Sequence, residues 1–202
     1  MSRRKLTLAA TVVLALCVMG PKPIAQTVWS DLPAANQQAE DIGKKGAEKS
    51  NMPELKAAIE NGTVNIYPGR PATGHGASWP NGDGTYTIIA EQAGTAEWFF
   101  WIIVHEWTHI SSGHPLPPKP GTTPPPGAPT PQGQACIECD THCSVLWAMK
   151  RVADNGGKVK CADVEKVKFD AGWECLWCGG GMGAFGPPAP SPCGDPDIHC
   201  VP

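Results

Sequence analysis

The placement of the cysteines constrains this chain more than any other feature. Eight of the nine stand at Cys136, Cys139, Cys143, Cys161, Cys175, Cys178, Cys193 and Cys200, all in the last third. The ninth, Cys17, belongs to a segment with its own signature. Arg3, Arg4 and Lys5 precede an apolar run from Leu6 to Met19, and Pro21, Pro23 and the small Ala25 follow. This is the pattern of a secretory signal peptide, read here as residues 1–26. The run is shorter than the roughly 20 residues a membrane-spanning helix needs, and no later segment replaces it, so no stable membrane insertion is expected. Leu16 stands where a lipoprotein would place a small residue before Cys17. Removal of the segment leaves an even set of eight cysteines in an exported chain, secreted or periplasmic, for which four disulfides and no free thiol are expected. The Cys136-x-x-Cys139 and Cys175-x-x-Cys178 spacings also occur in structural zinc sites; export favours disulfides.

Charge and length narrow the reading further. Arg3, Arg4, Lys5 and Lys22 leave with the segment, so twelve basic residues face nineteen acidic ones, a net charge of −7. That balance speaks against a nucleic-acid partner. Residues 27–202 suffice for one domain with a real core and a stapled C-terminal part, residues 133–202; two independent domains would be cramped.

Hydrophobic spacing predicts an α+β chain. Residues 32–61 read as helical, interrupted near Asn51 to Pro53 and closed by Asn61-Gly62. Thr63 to Tyr67 and Thr85 to Ala90 are short β-prone runs separated by a Gly- and Pro-rich stretch. Residues 96–112 form a long apolar helix stopped by Gly113 and Pro115. Residues 115–132 hold nine prolines and are expected as an extended loop. Residues 134–153 return to helix, and the remainder reads as loop-rich.

Within the apolar helix, "WIIVHEWTHISSGHP" places His105, Glu106 and His109 among tryptophans and isoleucines. Buried polar groups need partners. Residues four apart on a helix point the same way, so His105 and His109 present two imidazoles to one point, with Glu106 at the flank. A metal ion would satisfy both rings, and zinc suits neutral imidazole nitrogen. The alternative, histidines hydrogen-bonded within a core, explains the pairing less well.

The H-E-x-x-H arrangement of "VHEWTHI" resembles the zincin metallopeptidases. The resemblance implies a zincin-like fold: a small sheet, an active-site helix and a following helix. It implies Zn2+ as cofactor, His105 and His109 as ligands, and Glu106 as general base. Zinc lowers the pKa of bound water toward 7 and polarises the scissile carbonyl. The strand "TYTII", residues 85–89, stands where zincins keep the sheet edge that aligns an extended substrate.

The third ligand has several candidates. Metzincins place a third His six residues after the second, where this chain has Pro115; His114 stands one residue early. Met182 in "GGGMG" is a weak counterpart of their methionine turn. Gluzincins take a Glu from a following helix, and Glu138 lies in "QACIECDTHCSVLWAMKRVAD". At about 100° per residue, Cys136, Cys139 and Cys143 share one stripe about 60° wide, and Glu138 and His142 lie roughly opposite. Disulfides would then pin one face while the other meets the metal. Glu138 ranks first on this phase, ahead of His114 and His142; Asp140 lies nearer the cysteine side. Where gluzincins carry an acid four residues after that Glu, this chain has His142.

His75 and His199 stand singly in loops and are expected to be unliganded. Tyr67 and Tyr86 suit strand packing better than an oxyanion role, and Trp98, Trp101 and Trp107 are expected to pack the helix. The expectation is an exported, zinc-dependent hydrolase acting on a peptide or protein substrate, with no oligomeric state implied. Its rival is an exported cysteine-rich binding or structural protein whose metal site is vestigial or stabilising. An open metal position separates the two.

Overall fold

The computed structural model describes residues 33–71, 74–92, 94–121, 129–179, 193–194 and 196–202. The segment expected to be a signal peptide, the centre of the Pro-rich segment and Met182 lie outside the described residues. The described part is α+β. Helices α1 (Pro33–Lys49) and α2 (Pro53–Glu60) lead into strands β1 (Val64–Pro68), β2 (Gly76–Pro80) and β3 (Tyr86–Ala90). Helices α3 (Ala96–Ser111), α4 (Pro131–Asp154) and α5 (Cys161–Cys178) follow.

The sheet is mixed, in the order β1-β3-β2. β3 is central, parallel to β1 with Val64 opposite Tyr86, and antiparallel to β2 with Trp79 opposite Thr87. The expected edge strand at 85–89 is therefore corrected: β3 is flanked on both sides, and the edges are β1 and β2. The β2 sequence, GASWP, lies inside the stretch read as loop, because a five-residue strand bracketed by glycine and proline carries little β-propensity of its own.

α3 lies at the centre of the core. Phe99 to Val104 are all buried, and a helix that is apolar all round must be covered on every face. Thr95 caps its start by accepting the Trp98 amide at 3.2 Å. α1 closes against it through Gly46, where a Cβ would stand 2.2 Å from the Phe100 ring, so any larger residue would force the helices apart. β1, β3 and α2 add Ile66, Ile88 and Ile59, and α4 and α5 add Leu146, Met149, Val164 and Val167.

The C-terminal part departs from its loop-rich expectation. Residues 161–178 form an 18-residue helix whose buried positions Val164, Val167, Ala171 and Cys175 follow a helical repeat. Gly172 and the exposed Phe169, Trp173 and Leu176 obscure that repeat in the sequence. α4 begins at Pro131, three residues earlier than expected. Thr130 caps it by accepting the Gly133 amide at 3.1 Å, and proline is tolerated in a first turn.

Four disulfides join Cys136 to Cys178, Cys139 to Cys175, Cys143 to Cys193 and Cys161 to Cys200. The first two cross-link α4 and α5 as antiparallel neighbours, with Cα atoms 4.5 and 4.7 Å apart. The proximity of Cys139, Cys143 and Cys175 is thus covalent pairing, and these sulfurs are not free to hold a metal. The end of the chain is tied down at Val201, whose carbonyl accepts the Cys161 amide and whose amide donates to the Val159 carbonyl, both at 2.8 Å. No described helix is long and apolar enough to cross a membrane.

Candidate active site

Three of the predicted side chains converge. His105 and His109, one turn apart on α3, bring their Nε2 atoms to 3.2 Å of each other. From α4, Glu138 Oε2 lies 3.1 Å from His105 Nε2 and 3.7 Å from His109 Nε2. A tetrahedral ion bound by nitrogen and oxygen at 2.0–2.1 Å keeps its donor atoms about 3.3 Å apart. These three donor separations match one face of such a tetrahedron, so the donor set fits a zinc ion in both chemistry and spacing.

Glu138 is held from behind. Gln134, one turn before Glu138, donates from Nε2 to Glu138 Oε1 at 2.6 Å, which leaves Oε2 for the histidines. Burial favours a protonated Glu138, but hydrogen bonds to His105 and His109 and their charges outweigh it and hold the carboxyl far below the usual range. Burial also disfavours charge on His105, yet the Glu138 hydrogen bond and the charges of Glu106, Glu138 and Asp170 raise its pKa above the ordinary value.

His114 is not among the converging donors, and its position has a local cause. α3 ends in a Schellman turn: Gly113 adopts φ 66°, its amide bonds Ile110, and the His114 amide bonds the His109 carbonyl at 3.0 Å. That turn brings the His114 ring back toward His109. His114 Nδ1 stands 3.3 Å from His109 Nδ1, and Nε2 stands 3.6 Å from Asp140 Oδ2. It supports His109 on the side away from Glu138. Burial and the neighbouring His109 charge lower its pKa.

His142 donates from Nδ1 to the Glu138 carbonyl at 2.9 Å and packs edge-on against His105, with ring centroids 4.8 Å apart. Burial, followed by the His105 charge, lowers its pKa to about 4. It is therefore neutral at pH 7, with Nε2 unprotonated.

Glu106 is buried with 6 % exposure and sits beside the donors without joining them. Ser78 on β2 donates its hydroxyl to Glu106 Oε2 at 2.8 Å. The other oxygen, Oε1, lies against Gly76, where a Cβ would come within 2.6 Å of it and of Ile102. Burial pushes the Glu106 carboxyl up, against the lowering influence of His105, His109 and Ser78. Ser78 and Gly76 escaped the sequence reading, as did Gln134. The signal for the first two was the Asn81-Gly82-Asp83-Gly84 turn before β3, which implies a hairpin partner on its other side.

These groups open into one cavity of about 860 Å³. β2 forms one wall with Gly76, Ala77 and Ser78, α5 forms another, and Pro115, Pro117, Pro118 and Pro129 of the Pro-rich segment border it. Trp98 and Trp101 line it as well as packing α3. His75 also lines it and is not isolated: its Nδ1 lies 2.6 Å from Glu91 Oε2. Tyr67 and Tyr86 take no part in the wall, and His199 lies exposed near the chain's end. Compared with known protein families, with characterised proteins and with solved structures, the chain matches none.

Proposed function

We propose that this protein is a zinc-dependent hydrolase that cleaves peptide bonds, with His105, His109 and Glu138 as metal ligands and Glu106 as general base. The observation that carries the reading is the convergence of three donor atoms at tetrahedral spacing beside a buried carboxylate, in a cavity large enough for a peptide segment. Three protein donors among the described residues, rather than four, leave a position for water or substrate, which favours catalysis over a structural or binding role. The four disulfides fit an oxidising, extracytoplasmic compartment.

A zinc ion held by His105, His109 and Glu138 would supply Lewis acidity and acidify a bound water toward neutrality. The chain's own residues supply the rest. Glu106 has one oxygen occupied by the Ser78 hydroxyl, so Oε1 is the atom that accepts the proton of the attacking water and returns it to the leaving amine. Its raised pKa brings it nearer the operating pH, where such transfers are efficient. Of the two edges of the described sheet, β2 is the one that borders the cavity, so its outer backbone groups pair with an extended substrate by strand addition. Trp101, Ile102 and Val145 keep the floor apolar and exclude stray water.

The test is a pair of variants. Glu106→Gln should keep zinc at unit stoichiometry and lose turnover of a peptide library by about 10²- to 10⁴-fold. Glu138→Ala should lose zinc to a competing chelator. Full turnover in Glu106→Gln, or unchanged zinc retention in Glu138→Ala, would remove the residue from its role.

A further inference from the structure

The face of α5 turned toward the cavity carries two stripes. Phe169 and Trp173, four residues apart and so one above the other, are 75 % and 54 % exposed. Asp170 and Glu174 repeat the spacing one residue on and line the same wall. Large aromatic rings left in water beside a cavity mark a surface that something else covers.

The charges on this wall say what. Lys166 is the sole Lys or Arg among the described residues lining the cavity. It is already engaged: its Nζ lies 3.1 Å from Asp170 Oδ2 and 5.4 Å from the Trp98 ring centre. Glu174 has no basic partner within salt-bridge distance among the described residues, and its charged neighbours, Glu138 and Asp170, are both acidic. Burial and those two charges raise the Glu174 pKa, the response of a carboxylate in a negative field. Among the described residues the lining holds four carboxyl groups, Glu106, Glu138, Asp170 and Glu174, against one ammonium, and of the two on α5 only Asp170 is paired with it.

Resting on the hydrolase reading above, we propose that the α5 wall is a subsite for a basic side chain, lysine or arginine, of an extended peptide substrate. With the substrate backbone along β2, a side chain directed across the cavity meets α5. A cation there stacks on the exposed Trp173 and Phe169 rings and pairs with Glu174, while its aliphatic stem covers the ring edges. An uncharged apolar side chain would gain the rings and leave Glu174 unpaired. An acidic one would be repelled.

The test measures binding apart from cleavage. Zinc-saturated, disulfide-intact Glu106→Gln protein is titrated with fluorescently labelled, end-capped alanine hexapeptides. Each carries one lysine, arginine, norleucine or glutamate, scanned through every position, and anisotropy reads the dissociation constant. At the preferred position lysine and arginine should bind about tenfold tighter than norleucine. Adding Glu174→Gln, or in a second variant Asp170→Asn, should remove most of that advantage while norleucine binding holds. Equal or tighter binding of norleucine or glutamate, or no binding by any peptide, overturns the subsite. Charge-selective binding with no cleavage by the wild type would sink the hydrolase reading and leave the subsite standing. Cleavage indifferent to charge would do the reverse.

Discussion

α3 and α4 each carry part of the histidine and carboxylate cluster, and they are held by different means. In α3 the donors follow six consecutive buried residues, Phe99 to Val104, so packing fixes the direction of His105 and His109. In α4 the stretch around Glu138 has little core beneath it: between residues 131 and 140 only Ala135 is buried. Two disulfides stand there instead, at Cys136 and Cys139, on the face away from the cavity. The contrast teaches that a ligand can be fixed either by burying its helix or by cross-linking the opposite face of it. A chain that leaves the cavity end of a helix exposed needs the second device.

The largest expected effect breaks that contrast directly. Removing both staples in Cys136→Ala/Cys139→Ala/Cys175→Ala/Cys178→Ala frees the loop that the outer one closes over 42 residues, and the chain-entropy cost is roughly 4 kcal/mol. Urea denaturation should record that loss, and zinc affinity should fall with it because Glu138 loses its fixed direction. Unchanged zinc affinity would show that packing alone holds the ligand.

The second probe acts where the two helices touch, at His142 against His105. The folded protein protonates His142 only near pH 4, whereas the unfolded chain does so near the ordinary 6.5. Between those values the unfolded state binds more protons, so acidification destabilises the fold. The loss begins as pH drops through 6.5 and is complete near 4, on the order of 3 kcal/mol. Denaturation midpoints of the zinc-free protein across that window, compared with His142→Gln, isolate the contribution. Equal slopes in the two proteins would deny it.

Smaller effects sharpen the α3 side. Gly76→Ala places a methyl group against Glu106 Oε1 and Ile102, and overpacking of this kind costs about 1–3 kcal/mol. Turnover should fall more than zinc affinity, since the displaced group is the base and not a ligand. His114→Ala removes the support behind His109 and should weaken zinc about tenfold, with His114→Gln recovering part of it. A loss as large as that of Glu138→Ala would move His114 into the ligand set.

The sequence displayed most clearly what local chemistry dictates. The i, i+4 histidines, the helix that carries them and the phase that sets Glu138 opposite three cysteines all follow from helical geometry, and the structure brings these groups together. What was hidden depends on contacts far apart in the chain. β2 exists because β3 pairs with it, not because GASWP favours a strand. Ser78 and Glu106 meet across 28 residues. α5 was masked because its outward rings interrupt the apolar repeat, and those rings face the cavity mouth instead of the core. The inward turn of His114 was readable in principle, since Gly113 after the last helical turn is a Schellman signal.

The paired cross-links between α4 and α5 also have a mechanical consequence. One link between two helices leaves an axle about which each can roll. Two links a turn apart, at Cys136–Cys178 and Cys139–Cys175, remove both rolling and sliding. The two helices can then shift only as one lever against α3, which carries the histidines. Glu138 and the aromatic wall ride on that same lever. Any widening of the cavity that swings the wall outward draws Glu138 away from His105 and His109, and any grip on Glu138 pulls the wall in.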